Sequence, residues 1–337
     1  MEPKKLILET HLSPGDTVML TAAVRDLHHA HPFKYITDVN TTAQEIWENN
    51  PYITKLKWTQ QIRKLRNEQL YTITPQKPDE NAQIIECHYP LIDHCNKRPY
   101  HFIHGYAQYL EKKLGITIPI TDFRGDIHLS EQEKNWIPQV QESPINHKGS
   151  YWVIFAGGKR DYSAKWFDPL RYQQIVNHFL GTITWVQVGQ IDHWHQPLQN
   201  VINLIGKTTT RQLIRLVYHS SGILCPITFG MHLAAAVPTK PGMPKNRACV
   251  VIAGGREPSQ WEAYPFHQYI HTHGMLPCCE DGGCWKSRCQ KINDGDPKDK
   301  DLCVRPVVVS NNLQIPECMA MITAQDVIRR IEMYLHP

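Results

Sequence analysis

Cys225-Pro226-Ile227-Thr228-Phe229-Gly230-Met231-His232-Leu233-Ala234-Ala235-Ala236-Val237 is the stretch whose reading decides the fold. The apolar run 222–224 enters it as a buried strand. A short turn then holds Thr228 and Gly230, and residues 231–236 are helix-forming. Strand, tight turn and helix start, in that order, bring free backbone N–H groups and the positive end of a helix dipole to one point. Such a point binds anions, phosphate above all. It is also the ordinary strand-to-helix turn of an α/β domain, so the flanking sequence has to choose between the two.

The same alternation continues outward on both sides. After the turn, 249–255 reads as another strand. Before it come a strand at 151–156, a helix at 168–179, strands at 183–188 and 201–204, and a helix at 209–219. Further upstream, 6–8 is a strand and 17–31 a helix closed by Pro32. Strands follow at 35–39, 53–58 and 83–87, with helices at 43–49 and 101–114, the last ended by Gly115. Residues 122–148 are polar, contain Pro138 and Pro144, and read as a connection. Thr323-Ala324-Gln325-Asp326 forms a capping box that opens a helix through Leu335, with one apolar face for docking. Strand–helix alternation in both halves predicts an α/β chain of two doubly wound, Rossmann-like domains, 1–148 and 149–337, facing each other across a cleft.

A chain of 337 residues has the length of two ordinary domains. With 41% hydrophobic and 20% charged residues it has ample core material. Its 36 basic and 32 acidic residues leave a net charge of +4 without any like-charge block, which argues against nucleic acid and a polybasic membrane surface. No apolar run reaches the roughly 18 residues of a transmembrane helix, and the N-terminus reads as a strand rather than a signal sequence. A soluble, cytoplasmic protein is therefore expected.

Four motifs carry chemistry. Ser13-Pro14-Gly15-Asp16 lies in the first strand-to-helix loop, at the sheet edge where ligands gather. Asp16 is either a helix cap or a general base facing the cleft. Ala156-Gly157-Gly158, followed by Lys159, Arg160 and Lys165, is a glycine turn with cations beyond it. Its backbone can approach a ligand closely, and Lys165 can neutralise a pyrophosphate. Ala253-Gly254-Gly255-Arg256-Glu257, running on to Glu262, is a second such turn. Arg256 suits bidentate phosphate binding, and Glu257 or Glu262 suits hydroxyl recognition. Finally, six of the ten cysteines fall between 278 and 318. In a chain without a secretion signal, this suggests a structural four-cysteine site for iron or zinc. The favoured ligands are Cys279, Cys284, Cys303 and Cys318, with Cys278 as first substitute. Asp294, Asp296, Asp299 and Asp301 read as solvated turn residues.

Ser13-Pro14-Gly15-Asp16-Thr17-Val18 ahead of a helix ending in Ala30-His31-Pro32 resembles the opening of glycosyltransferase family 9, the ADP-heptose heptosyltransferases. The resemblance continues through Ala156-Gly157-Gly158, Lys165-Trp166, Gly206-Lys207-Thr208 and residues 228–236. It implies a GT-B fold and inverting transfer from a nucleotide-diphosphate sugar, most specifically ADP-heptose, bound mainly by the C-terminal domain. By the same resemblance Asp16 is the catalytic base and Lys165 lies near the donor phosphates. Gly157, Gly158, Thr228, Gly230, His232, Arg256 and Glu257 complete the expected donor-binding set. Ile227 and Phe229 depart from the family's Asp-Ser/Thr-Gly-x-x-His motif. The Thr-Phe pair and the cysteine-rich C-terminus are similar to the iron-containing autotransporter heptosyltransferase branch. The acceptor, whether protein, glycan or small molecule, is left open, as is assembly into a homo-oligomer. The alternative from another class is a metal-stabilised nucleotide-binding or interaction protein without transfer activity. A nucleotide-sugar dehydrogenase or epimerase is disfavoured, because the first turn lacks Gly-x-Gly-x-x-Gly.

Overall fold

Two parallel sheets carry the chain. The computed structural model describes residues 2–61, 81–88, 100–142 and 144–335. In the first sheet, β1 (Lys4–Thr10) lies between β2 (Tyr35–Thr41) and β3 (Gln83–Glu86). Leu6 pairs with Thr37 on one side and Gln83 on the other. A parallel strand with neighbours on both edges is covered on both faces, and Leu6, Ile7 and Leu8 are fully buried accordingly. Helix α1 (Pro14–Ala30) and helix α2 (Phe102–Leu114) pack against each other. Gly115 ends α2 in the left-handed region at φ 67°, where a side chain would be strained.

The second sheet has six parallel strands: β4 (Tyr151–Ile154), β5 (Thr184–Gln187), β6 (Ile202–Asn203), β7 (Gly222–Pro226), β8 (Ala248–Gly254) and β9 (Gln268–His271). Their spatial order is β9-β8-β7-β4-β5-β6. The chain grows outward from β4 through β5 and β6, returns to place β7 on the opposite side of β4, and continues to β9. The reversal puts a switch point between β4 and β7, where ligands of such sheets bind beyond the strands' carboxyl ends. The turns leaving these two strands are the ones that carry Lys165 and Thr228. Helices α3 (Pro169–His178), α4 (Thr210–His219), α5 (Phe229–Ala236) and α6 (Ala324–Leu335) complete this half. The Tyr334 hydroxyl anchors α6 by donating to the Cys249 carbonyl at 3.2 Å.

One apolar core runs from Leu6 and Val24 of the first half to Val153, Ile223 and Leu233 of the second. Another fills the opposite face of the second sheet, beneath α3 and α6, and reaches Cys279 and Cys318. Among the described residues no helix is long and apolar enough to cross a membrane.

Two expectations change. Residues 53–58 are not a strand; only Ile53 bridges to Thr37, and a helical turn begins at Lys57. The cause is Asp38, fully buried, whose carboxylate accepts the Leu56 N–H at 2.7 Å and the Thr59 hydroxyl. A buried carboxylate must find donors, and here it takes them from the segment that would otherwise extend the sheet. Conversely, β9 joins the second sheet as an unanticipated edge strand.

Candidate active site

The first strand-to-helix loop closes as a capping box. Ser13 is the cap, Pro14 occupies the first helical position, and the Asp16 carboxylate accepts the Ser13 N–H at 3.1 Å. Asp16 therefore lies inside the first turn of α1, not ahead of the helix, and is 8% exposed. A Cβ on Gly15 would stand 2.7 Å from His232 Cδ2, so this loop packs directly on the imidazole of α5. That contact joins the two halves at the switch point.

Helix α5 opens at Thr228, whose hydroxyl oxygen accepts the Gly230 N–H at 3.4 Å. Gly230 has a packing reason to be glycine: a Cβ there would meet the Phe155 ring at 2.6 Å. His232 Nδ1 lies 2.8 Å from the Tyr264 hydroxyl, and burial pushes the imidazole well below its ordinary range, so the ring is neutral. Ile227 is buried.

Lys165 approaches from the β4 turn. Its ammonium pairs with Glu257 at 2.8 Å and is lowered to about 8 by burial and by the neighbouring Arg256, against opposing pulls from Glu262 and Asp16. Arg256 is less open than its sequence position suggests. Its guanidinium bonds to Glu257, donates from Nε to the Lys286 carbonyl at 2.5 Å and from Nη2 to the Trp285 carbonyl at 3.3 Å. It braces the β8 turn against the cysteine-rich segment, adding positive potential rather than a bare phosphate fork. Glu262 is 5% exposed and raised to about 7 by burial and by Asp16, although Lys165 and Arg256 oppose this. Asp16, Lys165, His232, Arg256, Glu257 and Glu262 thus form one electrostatic cluster.

Gly157 and Gly158 belong to a separate short ladder. They pair antiparallel with His195 and Trp194, and a Cβ on Gly157 would lie 2.0 Å from the Trp194 carbonyl oxygen. Lys159, next in sequence, reaches the Ser13 hydroxyl at 3.4 Å.

The cysteine-rich segment straps the Lys165 loop. The Ala164 N–H donates to the Ser287 carbonyl at 3.0 Å, and the Cys289 N–H to the Ser163 hydroxyl at 3.0 Å. Cys278, Cys284, Cys303 and Cys318 line one small cavity with Lys286 and Arg305. Cys279 directs its thiol to the Leu276 and Thr272 carbonyls and lies beside Gly255 with Cys318, while Cys278 stands at the cavity wall. Soft thiols beside cations are suitable donor chemistry for iron or zinc. Among the described residues, however, no three Cys, His, Asp or Glu side chains are gathered tightly enough to hold an ion, and the described cysteines are free thiols. The aspartates between Cys289 and Cys303 are not merely solvated. Asp294 and Asp299 clamp the fully buried Arg288 at 2.7 and 2.5 Å, and Asp301 pairs with Lys286.

Tyr264, which holds His232, and Gly15, which receives it, are the site residues that motif reading did not single out. Their only sequence signal is placement within strand-end loops.

No protein-family model and no curated protein matches the chain. Solved structures do. A family 9 glycosyl transferase from Veillonella parvula DSM 2008 superposes with a TM-score of 0.64 at 16% identity, covering 99% of this chain and 98% of that one. The E. coli ADP-heptose lipopolysaccharide heptosyltransferase II gives 0.58 at 14% identity, covering 98% of each chain. The iron-containing dodecameric glycosyltransferase TibC from enterotoxigenic E. coli H10407 gives 0.61 at 14% identity, over 98% of this chain and 76% of TibC. With its two parallel sheets, this chain has an α/β fold that matches the GT-B structures of a family 9 glycosyltransferase and ADP-heptose heptosyltransferases.

Proposed function

We propose that this chain is an inverting glycosyltransferase that moves a sugar from a nucleotide-diphosphate donor to an acceptor hydroxyl. The observation that carries the reading is the meeting, at the switch point, of a buried carboxylate in the first turn of α1 with an ammonium and a capped helix start from the second sheet. Asp16 takes the acceptor's proton. The freed oxygen forms its bond to the anomeric carbon from the face opposite the leaving group. The bond from that carbon to the pyrophosphate oxygen breaks, and its electron pair leaves with the nucleoside diphosphate. Lys165, Thr228 and the first N–H groups of α5 stabilise the charge that develops there, with Arg256 strengthening the field.

Residues 1–148 serve the acceptor and 149–337 the donor in this reading. The donor is ADP-heptose, the nucleotide sugar named in a TibC complex of the same fold, at TM-score 0.58 and 15% identity. The cysteine cluster holds a structural metal through Cys284, Cys303, Cys318 and either Cys278 or Cys279. Iron is the first choice, because the neighbour TibC is described as iron-containing, and zinc the second. TibC is also described as dodecameric, which supports self-association here.

One observation favours a second reading, nucleotide binding without transfer: the buried Ile227 supplies no carboxylate where the resembled motif has one. An Asp16→Asn variant separates the two. Under the transfer reading it keeps ADP affinity and loses roughly 10²- to 10⁴-fold in ADP release from ADP-heptose. Unchanged turnover in that variant would remove Asp16 from the mechanism. A wild-type protein that binds ADP-heptose and transfers to no offered acceptor or water would favour the second reading.

A further inference from the structure

We infer that Glu262 reads the transferred sugar, its carboxylate accepting hydrogen bonds from ring hydroxyls of the donor's glycosyl group. This assignment rests on the site being a glycosyl-transfer centre, and it adds a specificity residue to it.

The first ground is an unmet need. Glu262 is 5% exposed, and its Oε2 has no hydrogen-bond partner among the described residues. His232 Nε2 stands 3.8 Å away, beyond hydrogen-bonding reach, and the neutral imidazole does not supply an ion pair. A buried carboxyl oxygen without a donor is costly in the resting protein, and a ligand hydroxyl removes that cost.

The second ground is position. Glu262 ends a short helix, Ser259–Glu262, just beyond the Arg256–Glu257 turn. Trp261 wedges that helix between Phe102 of the first half and Trp285 of the cysteine-rich strap, each ring centroid 4.2 Å away. The carboxyl is therefore held on a rigid mount, close enough to feel the charges of Lys165, Asp16 and Arg256. Asp16 marks the attacking hydroxyl, and His232, 3.8 Å from Glu262 Oε2, packs on Gly15 beside Asp16, which puts Glu262 on the side of the transferred ring.

The third ground is chemical. A carboxylate repels the pyrophosphate and only accepts hydrogen bonds when ionised. Hydroxyls are the matching donors on a nucleotide sugar, carried by the ribose and by the transferred ring. Proximity to the proposed base selects the transferred ring.

The test is calorimetry with ADP and with ADP-heptose on wild type, Glu262→Gln and Glu262→Ala, together with steady-state kinetics and melting curves. Expected are unchanged ADP affinity, roughly ten- to hundredfold weaker ADP-heptose binding and a raised KM for Ala. Gln should recover part of the loss, because its amide oxygen still accepts. Equal loss toward ADP and ADP-heptose would reassign Glu262 to the ribose. A fall in kcat with KM and both affinities unchanged would make it a base. No change in any readout would leave it structural, and each of these three outcomes overturns the inference. Failure of the transfer reading looks different: the wild-type protein itself then releases no ADP from the donor.

Discussion

Lys165 is the residue through which pH should act on this site. Burial and Arg256 bring it down to about 8, so it is mostly ammonium at pH 7 and loses its charge as pH rises through that value. Binding a pyrophosphate above pH 8 then requires proton uptake, and ADP affinity should fall by up to roughly tenfold per pH unit. Lys165→Arg keeps its charge throughout and should flatten the profile; calorimetry between pH 7 and 9.5 checks both. A wild-type profile that stays flat to pH 9.5 would detach Lys165 from the pyrophosphate. At this scale the positions of Asp16 and Lys165 were legible as turns that follow strands, and that of His232 through the family resemblance. Tyr264 was not, since its hydroxyl reaches His232 across a loop 32 residues on, and periodicity does not encode such a pairing.

Among elements, the cysteine-rich strap has the most to explain. Its backbone bonds at Ser287 and Cys289 hold the Arg160–Lys165 turn, and its carbonyls at Trp285 and Lys286 hold Arg256. If the cysteines hold a structural metal, elemental analysis should find about one iron or zinc per chain. Chelation should then lower both the melting temperature and ADP affinity, because the strap and the Lys165 turn would loosen together. Full ADP affinity in metal-depleted protein would show that the turn stands without the strap. Most strands and helices were legible from local pattern, to within a few residues at their ends. The 53–58 segment was not, because Asp38 draws it out of the sheet through side-chain bonds that its own pattern does not record. The Asp294–Asp299 clamp was missed for the same reason: turn-like residues looked solvated until Arg288 was seen buried among them.

At the scale of the whole molecule, a buried ion pair ties the segment after α2 to α4. Arg211, 8% exposed, meets the Glu133 carboxylate at 2.7 and 2.6 Å and also donates to the Glu45 and His128 carbonyls. Glu133→Ala leaves that buried guanidinium only the half-exposed Glu48, 3.5 Å away, as counter-charge, and should cost about 3 kcal/mol in urea unfolding at pH 7. Burial alone would raise the Glu133 carboxyl, yet the bonds from Arg211 and Ser130 hold it below its ordinary 4.5. The stability it contributes is therefore present at neutral pH and is lost as pH falls below about 4.5 through the depressed folded value. Unfolding curves from pH 7 to 3 should show this loss in wild type and less of it in Glu133→Gln. Identical pH dependence in both would mean that the pair contributes nothing.

The sequence by itself determined two runs of alternating strand and helix, the strand–turn–helix at 222–237, and a carboxylate at the first strand-to-helix turn. These follow from residue spacing, which is a local property of the chain. Only the tertiary structure decided that β7 lies beside β4, that Gly15 seats against His232, that Arg256 is held by the strap, and that Glu262 Oε2 is buried without a donor among the described residues. Each of those depends on atoms brought together from separate turns, and no local pattern specifies what will face a side chain once the sheets have packed.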